Sequence, residues 1–406
     1  MSSVKEHFEI PGRYKQWSLG LMGVGILALV IGYVMYGTNG QGTRFWATLL
    51  QNSVYFLLIT NAAMFFFAAT TLAWGGWTLT FRRVSEAIAT SVIPIGIITF
   101  IILMCIVFGG KDTIYIWLNK DHVAHDEVLK GKAGFLSPTF FTIWSVLTIG
   151  LWIVLGKKLR SLSRSIDNTP ISVEEGKKYI WTNTVWAAVY IVWFALTVAS
   201  VTPWLWLMSI DAHWFSTMYS WYTFASSFVS GIALMTLFII YLKNKGYLEY
   251  VNEEHLHDLG KFQFAFSIFW TYLWFAQFML IWYANISEET IYFKSRFEGA
   301  YIGIFFLNLV LNFVCPLLIY MKRSSKRNYG VLVFMSVLII FGHWLDFYQM
   351  VFGSTHKDAV PMNLFDFGIA LGFVGLIMWQ TAQVLNKVPL LAKNHPFLKE
   401  SIIHHT

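Results

Sequence analysis

The chain has 406 residues, of which 56% are hydrophobic and 13% are charged. Because a soluble domain carries about 25% charged residues, this composition excludes a soluble globular protein and predicts one that lies largely within a membrane. The formal net charge of +7 does not indicate nucleic acid, since Lys and Arg flank the apolar runs, where they orient a membrane protein.

Ten apolar runs are long enough, or nearly so, to cross a bilayer core of about 30 Å, which takes about 20 helical residues. Backbone polar groups in lipid must pair within their own segment, and barrel strands would be shorter and alternating. The sequence therefore predicts an all-α polytopic membrane protein of ten transmembrane helices. The runs lie near residues 17–36, 51–74, 88–108, 139–156, 180–201, 214–242, 262–284, 300–320, 330–352 and 363–386.

A weak internal similarity suggests that a four-helix unit occurs twice in this single integral membrane domain, residues 1–406. The segments FWATLLQNSVYF (45–56) and HWFSTMYSWYTF (213–224) both begin with aromatic residues and a Thr. The first helix is expected to be retained, because its apolar run is longer than the 7–15 residues typical of a signal-peptide core. The possible repeat units are residues 51–201 and 214–352, flanked by helices 17–36 and 363–386.

The distribution of Lys and Arg predicts the orientation. When the segments outside the runs are numbered alternately from the N-terminal tail, one set carries 21 and the other 8 of the 29 cations. Cytoplasmic loops are the ones enriched in Lys and Arg, so both termini are expected to be cytoplasmic. No Lys or Arg is expected inside any membrane-spanning run.

The ninth run contains FGHWLDFYQM (341–350), in which His343 and Asp346 lie three residues apart and share a helix face. His343 is about 20 Å along the helix from Gly330 at roughly 1.5 Å per residue, which places both side chains in the outer half of the bilayer. Ionisable groups there cost about 2.5–3.5 kcal/mol on insertion scales and often mark proton relays. The alternative is a polar cluster that holds helices together.

Other polar residues are candidates for the same proton path or for a surface that faces quinol. Asn308 and Asn312 could instead serve helix packing. Asp211 and Asp366, each near the outer end of a run, could instead cap helices or anchor loops. No catalytic residue and no metal ligand is assigned. The complete set of candidates is His343, Asp346, Asp366, Asp211, His213, Asn308, Asn312 and Gln277.

No redox cofactor is expected in this chain. A b-type haem needs two axial His that face each other, and only His343 lies deep in a run; Cys105 and Cys315 cannot supply the roughly four ligands of an iron–sulfur cluster.

In the outer loop 109–138, HVAHDE (122–127) could bind a metal, but a solvated loop that docks a partner is the preferred interpretation. The small residues of run six, Ser226, Ser227, Ser230, Gly231 and Ala233, are interpreted as a helix-packing strip.

Three stretches resemble the shorter of the NrfD-like, quinone-binding-type membrane subunits of bacterial alternative complex III, a quinol:cytochrome c oxidoreductase. They are HWFSTMYSWYTFASSF (213–228), HDLGKFQFAFSIFWTYLWFAQFMLIWYANISEET (257–290) and GHWLDFYQM (342–350). The resemblance is strong over runs five to ten and is mainly architectural over the first half. It implies two four-helix bundles plus two flanking helices in the bacterial cytoplasmic (inner) membrane.

The resemblance also implies partners and a role. The partners would be a multihaem cytochrome c, an iron–sulfur protein, a monohaem cytochrome c, a longer homologous NrfD-like membrane subunit and possibly a terminal oxidase, with lipid around the helices. Haem c and iron–sulfur clusters would belong to those partners, and menaquinol or a related quinol would be the electron donor. This chain would then be a cofactor-free scaffold with a proton path near the periplasmic side.

Three alternatives remain open from the sequence. The chain could have its own quinol-binding site, with His343 or Asp346 accepting a quinol proton. It could be a stand-alone secondary transporter, which would have helices broken near the middle of the membrane; only Pro94 and Pro316 suggest such breaks. It could also be a scaffold alone.

Overall fold

The structure, a computed structural model, describes residues 6–38 and 42–405. Ten helices in these residues are long and apolar enough to cross a membrane, and the described residues contain no strand. The prediction of an all-α polytopic membrane protein is thus confirmed. The helices are α1 (Gly12–Gly37), α2 (Thr43–Leu72), α3 (Arg82–Phe108), α4 (Pro138–Arg164), α5 (Val173–Trp206), α6 (Met218–Asn244), α7 (Glu253–Ala284), α8 (Gly299–Tyr320), α9 (Tyr329–Thr355) and α10 (Leu364–Lys387).

The helices pack as two four-helix bundles with the same order of neighbours. In the first bundle α2 contacts α3 and α5, and α4 contacts α3 and α5; in the second, α6 contacts α7 and α9, and α8 contacts α7 and α9. The bundles meet where α2 packs against α6 and α9, so α2 and α6 are the most deeply buried of the ten helices. The helices α1 and α10 flank the bundles, as expected.

Ten crossings bring both ends of the chain to one face, here termed the terminal face; the other is termed the loop face. The second helix begins at Thr43 rather than near residue 51, and the third at Arg82 rather than near 88. As a result Arg44, Arg82 and Arg83 lie within helices and are buried. These three residues lie outside the apolar runs, in the parts of the helices that extend beyond them. Buried carboxylates pair with them: Asp366 with Arg44, and Glu86 with Arg82 and Arg83.

Three helices are interrupted, and each interruption lies one turn before a proline. Proline has no N–H for the carbonyl four residues earlier and its ring clashes with that carbonyl. For Pro94, Pro203 and Pro316 the carbonyl belongs to Thr90, Ala199 and Asn312, respectively. The helix breaks between Ala89 and Val92 in α3, and π-helical turns span Thr197–Val201 in α5 and Val310–Val314 in α8.

The flanking helices α1 and α10 pack backbone against backbone through glycine. A Cβ atom on Gly25 would lie 2.4 Å from the Cα of Gly372, and a Cβ on Gly368 would lie 2.6 Å from the Cβ of Ala28. Small residues at these positions let two helices approach closely in a membrane, where van der Waals packing drives association. Most of the rest of α1 faces outward, with apolar side chains such as Ile26 and Val30 exposed.

Substitution of Gly25 by Val is therefore expected to push α1 away from α10 and to lower the thermal stability of the protein in detergent. Overpacking of this kind costs about 1–3 kcal/mol. Gly23→Val is the matched control, because a Cβ on Gly23 meets no atom within 4 Å. Equal melting temperatures for the two variants would contradict the packing described here.

A C-terminal segment, residues 388–405, crosses the terminal face and contacts both bundles. On the side of the first bundle, the Asn394 side chain donates to the Ile166 carbonyl (2.8 Å) and Ser401 Oγ donates to the Trp77 carbonyl (2.8 Å). On the side of the second, His404 Nε2 lies 2.7 Å from Asp258 Oδ2. The segment therefore connects the bundles at this face.

Docking of this segment is expected to weaken in mild acid because of His395. Burial, with Arg82 and Arg83 close by, lowers the pKa of His395 from 6.5 to about 3, and His395 Nε2 lies 3.3 Å from Arg82 Nη1. Between about pH 3 and pH 6.5 the docked His395 stays neutral, whereas His395 in the released segment takes up a proton. The equilibrium constant for docking is thus undiminished above pH 6.5 and falls as the pH decreases, by roughly tenfold at pH 5.5.

Hydrogen exchange of residues 388–405 at pH 7.5 and 5.5, corrected for the intrinsic exchange rate, measures this effect. The matched control is His395→Gln, which retains a polar side chain but does not titrate, and its docking should lose most of this dependence on pH. Protection that is independent of pH in the unmodified protein would show that His395 does not control docking.

Candidate functional site

The second bundle has a polar interior. Buried polar side chains from all four of its helices line the space between α6, α7, α8 and α9, and we term this set the polar column. Its members are Tyr222, Ser226, Thr236, Gln263, Ser267, Trp270, Gln277, Asn308, Asn312, Tyr320, Ser336, His343, Asp346 and Gln349. A buried polar group without a hydrogen-bond partner costs about 1–3 kcal/mol. Members of the column that lack a protein partner are therefore candidate sites for bound water.

Asp346 lies at the centre of the column and is 2% exposed. Three donors from other helices surround its carboxylate: the hydroxyl of Tyr222, the hydroxyl of Ser226 (3.2 Å) and Nε1 of Trp270 (3.1 Å). A carboxylate only accepts hydrogen bonds, so these donors suit the ionised form. The helix α9 supplies the acid, and α6 and α7 supply the groups that hold it.

Ser226 also connects Asp346 to His343. Its Oγ lies 2.9 Å from Nδ1 of His343, whose side chain is fully buried. When Ser226 donates to Asp346, its oxygen accepts from Nδ1–H of the imidazole, which leaves Nε2 as an acceptor. Nε2 has no hydrogen-bond partner among the described residues. The arrangement is a short hydrogen-bonded chain from imidazole to carboxylate, with one free end.

Toward the loop face, a cavity of about 20 Å³ lies beside Asp346, and Gln277 and Gln349 are among the residues that line it. The Nε2 atoms of both Gln side chains are buried without a partner, and Asn308 Nδ2 donates to Gln349 Oε1 (2.9 Å). A cavity of this size holds about one water molecule. Water there would connect the carboxylate to the amide side chains.

Arg296 closes the loop-face end of this cavity. Its Nη2 atom donates to Ser354 Oγ (2.6 Å) and lies 3.6 Å from Asp211 Oδ2, and Ser354 donates to Asp211. Asp211 therefore anchors the end of the polar column, while Arg296 places a positive charge at its mouth.

Toward the terminal face, the column continues past His343. Asn312 lies against α9, since a Cβ on Gly342 would be 2.1 Å from Asn312 Oδ1, and both polar atoms of its side chain are buried without a partner. Ser267 Oγ is buried without a partner as well. Groups of this kind in native proteins usually bind ordered water.

The last layer of the column is satisfied by its own members. Gln263 accepts from Tyr320 (2.6 Å) and donates to Thr236 (2.9 Å) and Ser336 (3.2 Å). These four side chains come from four different helices, so the layer also fixes the bundle. Hydroxyl and amide groups thus extend from Asp346 well into the half of the bundle nearest the terminal face.

Two of the predicted site residues lie outside the column. Asp366 is fully buried between α2 and α10, where it pairs with Arg44 and accepts from Thr48 (2.9 Å) and from the Asn363 N–H (3.0 Å). His213 is exposed at the loop face, with Nε2 2.5 Å from Asp126 Oδ2. The hydrogen bond from His213 holds the pKa of Asp126 below its usual range. Both contacts tie segments of the chain together, as the capping and anchoring alternative proposes.

The structure places His343, Asp346, Asn308, Asn312 and Gln277 together in the column, with Asp211 at its end. Sequence reasoning missed Tyr222, Trp270 and Arg296. It also assigned Ser226 to helix packing alone, whereas the Ser226 hydroxyl contacts His343 and Asp346. Gly231 of that strip does allow close packing, since a Cβ there would lie 2.7 Å from the Cβ of Ala62. The described residues include no group of three or more His, Cys, Asp or Glu that could hold a metal ion.

The fold and the polar column define the class: an all-α polytopic membrane protein of two four-helix bundles, with the polar column inside the second. No protein-family model and no curated protein matches the chain.

Proposed function

We propose that this chain is a cofactor-free membrane subunit of a bacterial quinol:cytochrome c oxidoreductase, alternative complex III, in which it contributes a scaffold and a proton path. The sequence resemblance supports membership of that complex. The polar column supports the proton path, because it combines an acid, an imidazole and a series of hydroxyl and amide groups within one bundle. Intramembrane chains of Asp and His of this kind mark proton relays in other membrane proteins.

In this path Asp346 and His343 are the groups that bind and release protons. Ser226 carries a proton between them, since its hydroxyl faces both. Bound water beside Gln277, Gln349 and Asn312 would extend the path in both directions. Arg296 at the loop-face end would repel hydronium, but Asp211, with Oδ2 3.6 Å from Arg296 Nη2, offsets part of its charge.

A quinol site of its own fits this region poorly. The cavity beside Asp346 measures about 20 Å³, whereas pockets for small molecules are about 300–1,000 Å³. A quinol ring therefore has no room next to the carboxylate or the imidazole. Quinol oxidation is assigned to the partners.

Co-purification tests the assignment to the complex. An affinity-tagged chain, extracted from its native membrane with a mild detergent, should bring partner chains with covalently bound haem and an iron–sulfur protein. Gel bands stained for haem and the iron content of the sample report this directly. A colourless, monodisperse single chain would overturn the assignment.

A secondary transporter is the second candidate, and the interrupted helices α3, α5 and α8 favour it. Transporters place such breaks around a substrate site. In this chain Asn312 of the α8 interruption belongs to the polar column, but the cavity within that column, beside Asp346, holds only about one water molecule. The same co-purification experiment separates the two candidates, since a transporter is expected to purify alone.

We place both termini in the cytoplasm on the basis of the Lys and Arg distribution. In a variant with Cys105 and Cys315 replaced, a single Cys at exposed Ser165 should react with membrane-impermeant maleimide only after the cells are opened. A single Cys at Ser287, exposed at the opposite face, should react in cells with permeabilised outer membranes. The reverse labelling pattern would invert the proposed orientation.

A further inference from the structure

A large apolar groove opens on the side of the first bundle, far from the polar column. It lies between α1, α2, α3 and α10 and has a volume of about 770 Å³. The groove exists because α1 contacts chiefly α10 and stands apart from α3. Its walls are almost entirely aliphatic and aromatic, with Val30, Leu49, Ile98 and Phe373 among them.

The depth of the groove corresponds to one leaflet of a bilayer. On α1 it extends from Met22 to Val34, which is about 18 Å at 1.5 Å per residue. On α3 and α10 it occupies the part of each helix nearest the loop face, Ile98–Cys105 and Ile369–Leu376. Half of a hydrocarbon core of about 30 Å is about 15 Å. The groove therefore has the length of acyl chains from one leaflet.

A transmembrane helix of a partner matches this groove poorly. Such a helix crosses a hydrocarbon core of about 30 Å, whereas the groove extends over only about 18 Å of α1. A quinol also suits the groove poorly, because no carboxylate or imidazole is among the lining residues to accept its protons. Flexible hydrocarbon chains are the occupant whose length, polarity and volume agree with the groove.

A positive charge lies at the loop-face end of the groove. Cys105 lines the groove, the Gly109 N–H donates to the Cys105 carbonyl one turn further on (3.0 Å), and the side chain of Lys111 packs beside Gly109. Lys111 forms no ion pair within residues 6–38 and 42–405. Arg44, the other nearby cation, is already paired with Asp366. A phosphate at headgroup level would therefore find the ammonium of Lys111 available.

We propose that the groove is a phospholipid site: the acyl chains of one phospholipid of the loop-face leaflet fill it, and the Lys111 ammonium binds the lipid phosphate. Acyl chains in this position would give α1 an apolar packing partner on the side that faces α3, where no helix contacts it closely. It supports the α1–α10 pair laterally, so the site is part of the folded protein and is independent of the proton path proposed above.

Native mass spectrometry of the detergent-extracted protein, with its partners, measures retained lipid. Ile98→Trp fills the groove and should abolish retention of one phospholipid; Ile97→Trp is the matched control, because Ile97 is exposed and does not line the groove. Lys111→Gln should weaken rebinding of added phosphatidylglycerol about fivefold, the worth of one cation near a charged surface. Phosphatidylethanolamine and a long-chain isoprenoid quinone are the competing ligands.

The outcomes separate clearly. Loss of phospholipid in Ile98→Trp with retention in Ile97→Trp, at equal melting temperature in lipid, supports the site. Equal retention in the two variants overturns it, as does stronger competition by the quinone than by phosphatidylglycerol. Should Ile98→Trp fail to fold, a diazirine-labelled phospholipid in native membranes provides the second test: crosslinks should map to residues 98–105, and crosslinks elsewhere only would reject the proposal.

Discussion

Replacement of Asp346 by Asn is expected to lower quinol-dependent proton release by the complex at least about tenfold, with little effect on the fold. The amide fills the same volume and can still accept from Trp270, but it cannot take up or release a proton. Positioned proton carriers contribute on the order of 10²–10⁴-fold where proton transfer limits the rate. Proton release and cytochrome c reduction, measured together in proteoliposomes, report the effect.

A pair of serines on α6 gives the matched control for this prediction. The Ser226 hydroxyl bridges His343 and Asp346, whereas the Ser230 hydroxyl, one turn away and equally buried, donates to the Ser226 carbonyl (2.8 Å). Ser226→Ala should slow proton release and Ser230→Ala should not. Normal proton release and normal turnover in Asp346→Asn would assign the polar column a structural role only, and the chain would then be a scaffold.

Replacement of Asp366 by Asn is expected to have the opposite profile, a large loss of stability without a specific effect on protons. Asp366 is fully buried, and Arg44, 9% exposed, donates to both of its carboxylate oxygens. Removal of one partner from a buried ion pair costs about 3–5 kcal/mol, because the remaining charge is left uncompensated. Thermal unfolding in detergent should show this as a marked decrease in melting temperature.

The exposed pair Lys177–Glu174 serves as the control, with side chains 69% and 82% exposed. Glu174→Gln should change stability by less than about 1 kcal/mol. The double variant Arg44→Met with Asp366→Leu should recover much of the loss, since apolar replacement of both partners avoids an uncompensated charge. A loss in Asp366→Asn no larger than in Glu174→Gln would show that the pair does not stabilise the loop-face end of α2.

The helices were predictable because hydrocarbon imposes a simple rule on length and polarity. The positions at which the helices begin and end were less predictable. The helix α2 begins eight residues before its apolar run, and Arg44 in this extra part pairs with Asp366, which lies 322 positions away in the sequence. No local pattern indicates such a pair. The break in α5 follows the same proline rule as the others, but Pro203 lies near the end of its run, where a break leaves no sign in hydropathy.

The candidate site was predictable in part for a similar reason. His343 and Asp346 stand out because ionisable residues are rare in apolar runs, and their spacing places them on one face. Tyr222 and Trp270 do not stand out, since aromatic residues are common in this chain. Their hydroxyl and indole N–H groups reach Asp346 only through the packing of α6 and α7 against α9. The hydrogen-bond network around Asp346 therefore depends on contacts between helices, which composition does not predict.

The pairing of α1 with α10 has a consequence for biosynthesis. The ribosome delivers α1 well before α10, with more than 300 residues between Gly25 and Gly372. Throughout translation α1 remains in the bilayer without its companion, where an insertase or a membrane chaperone can hold it. A chain truncated before α10 would leave the glycine face of α1 without its packing partner, so this contact can form only after α10 has been synthesised.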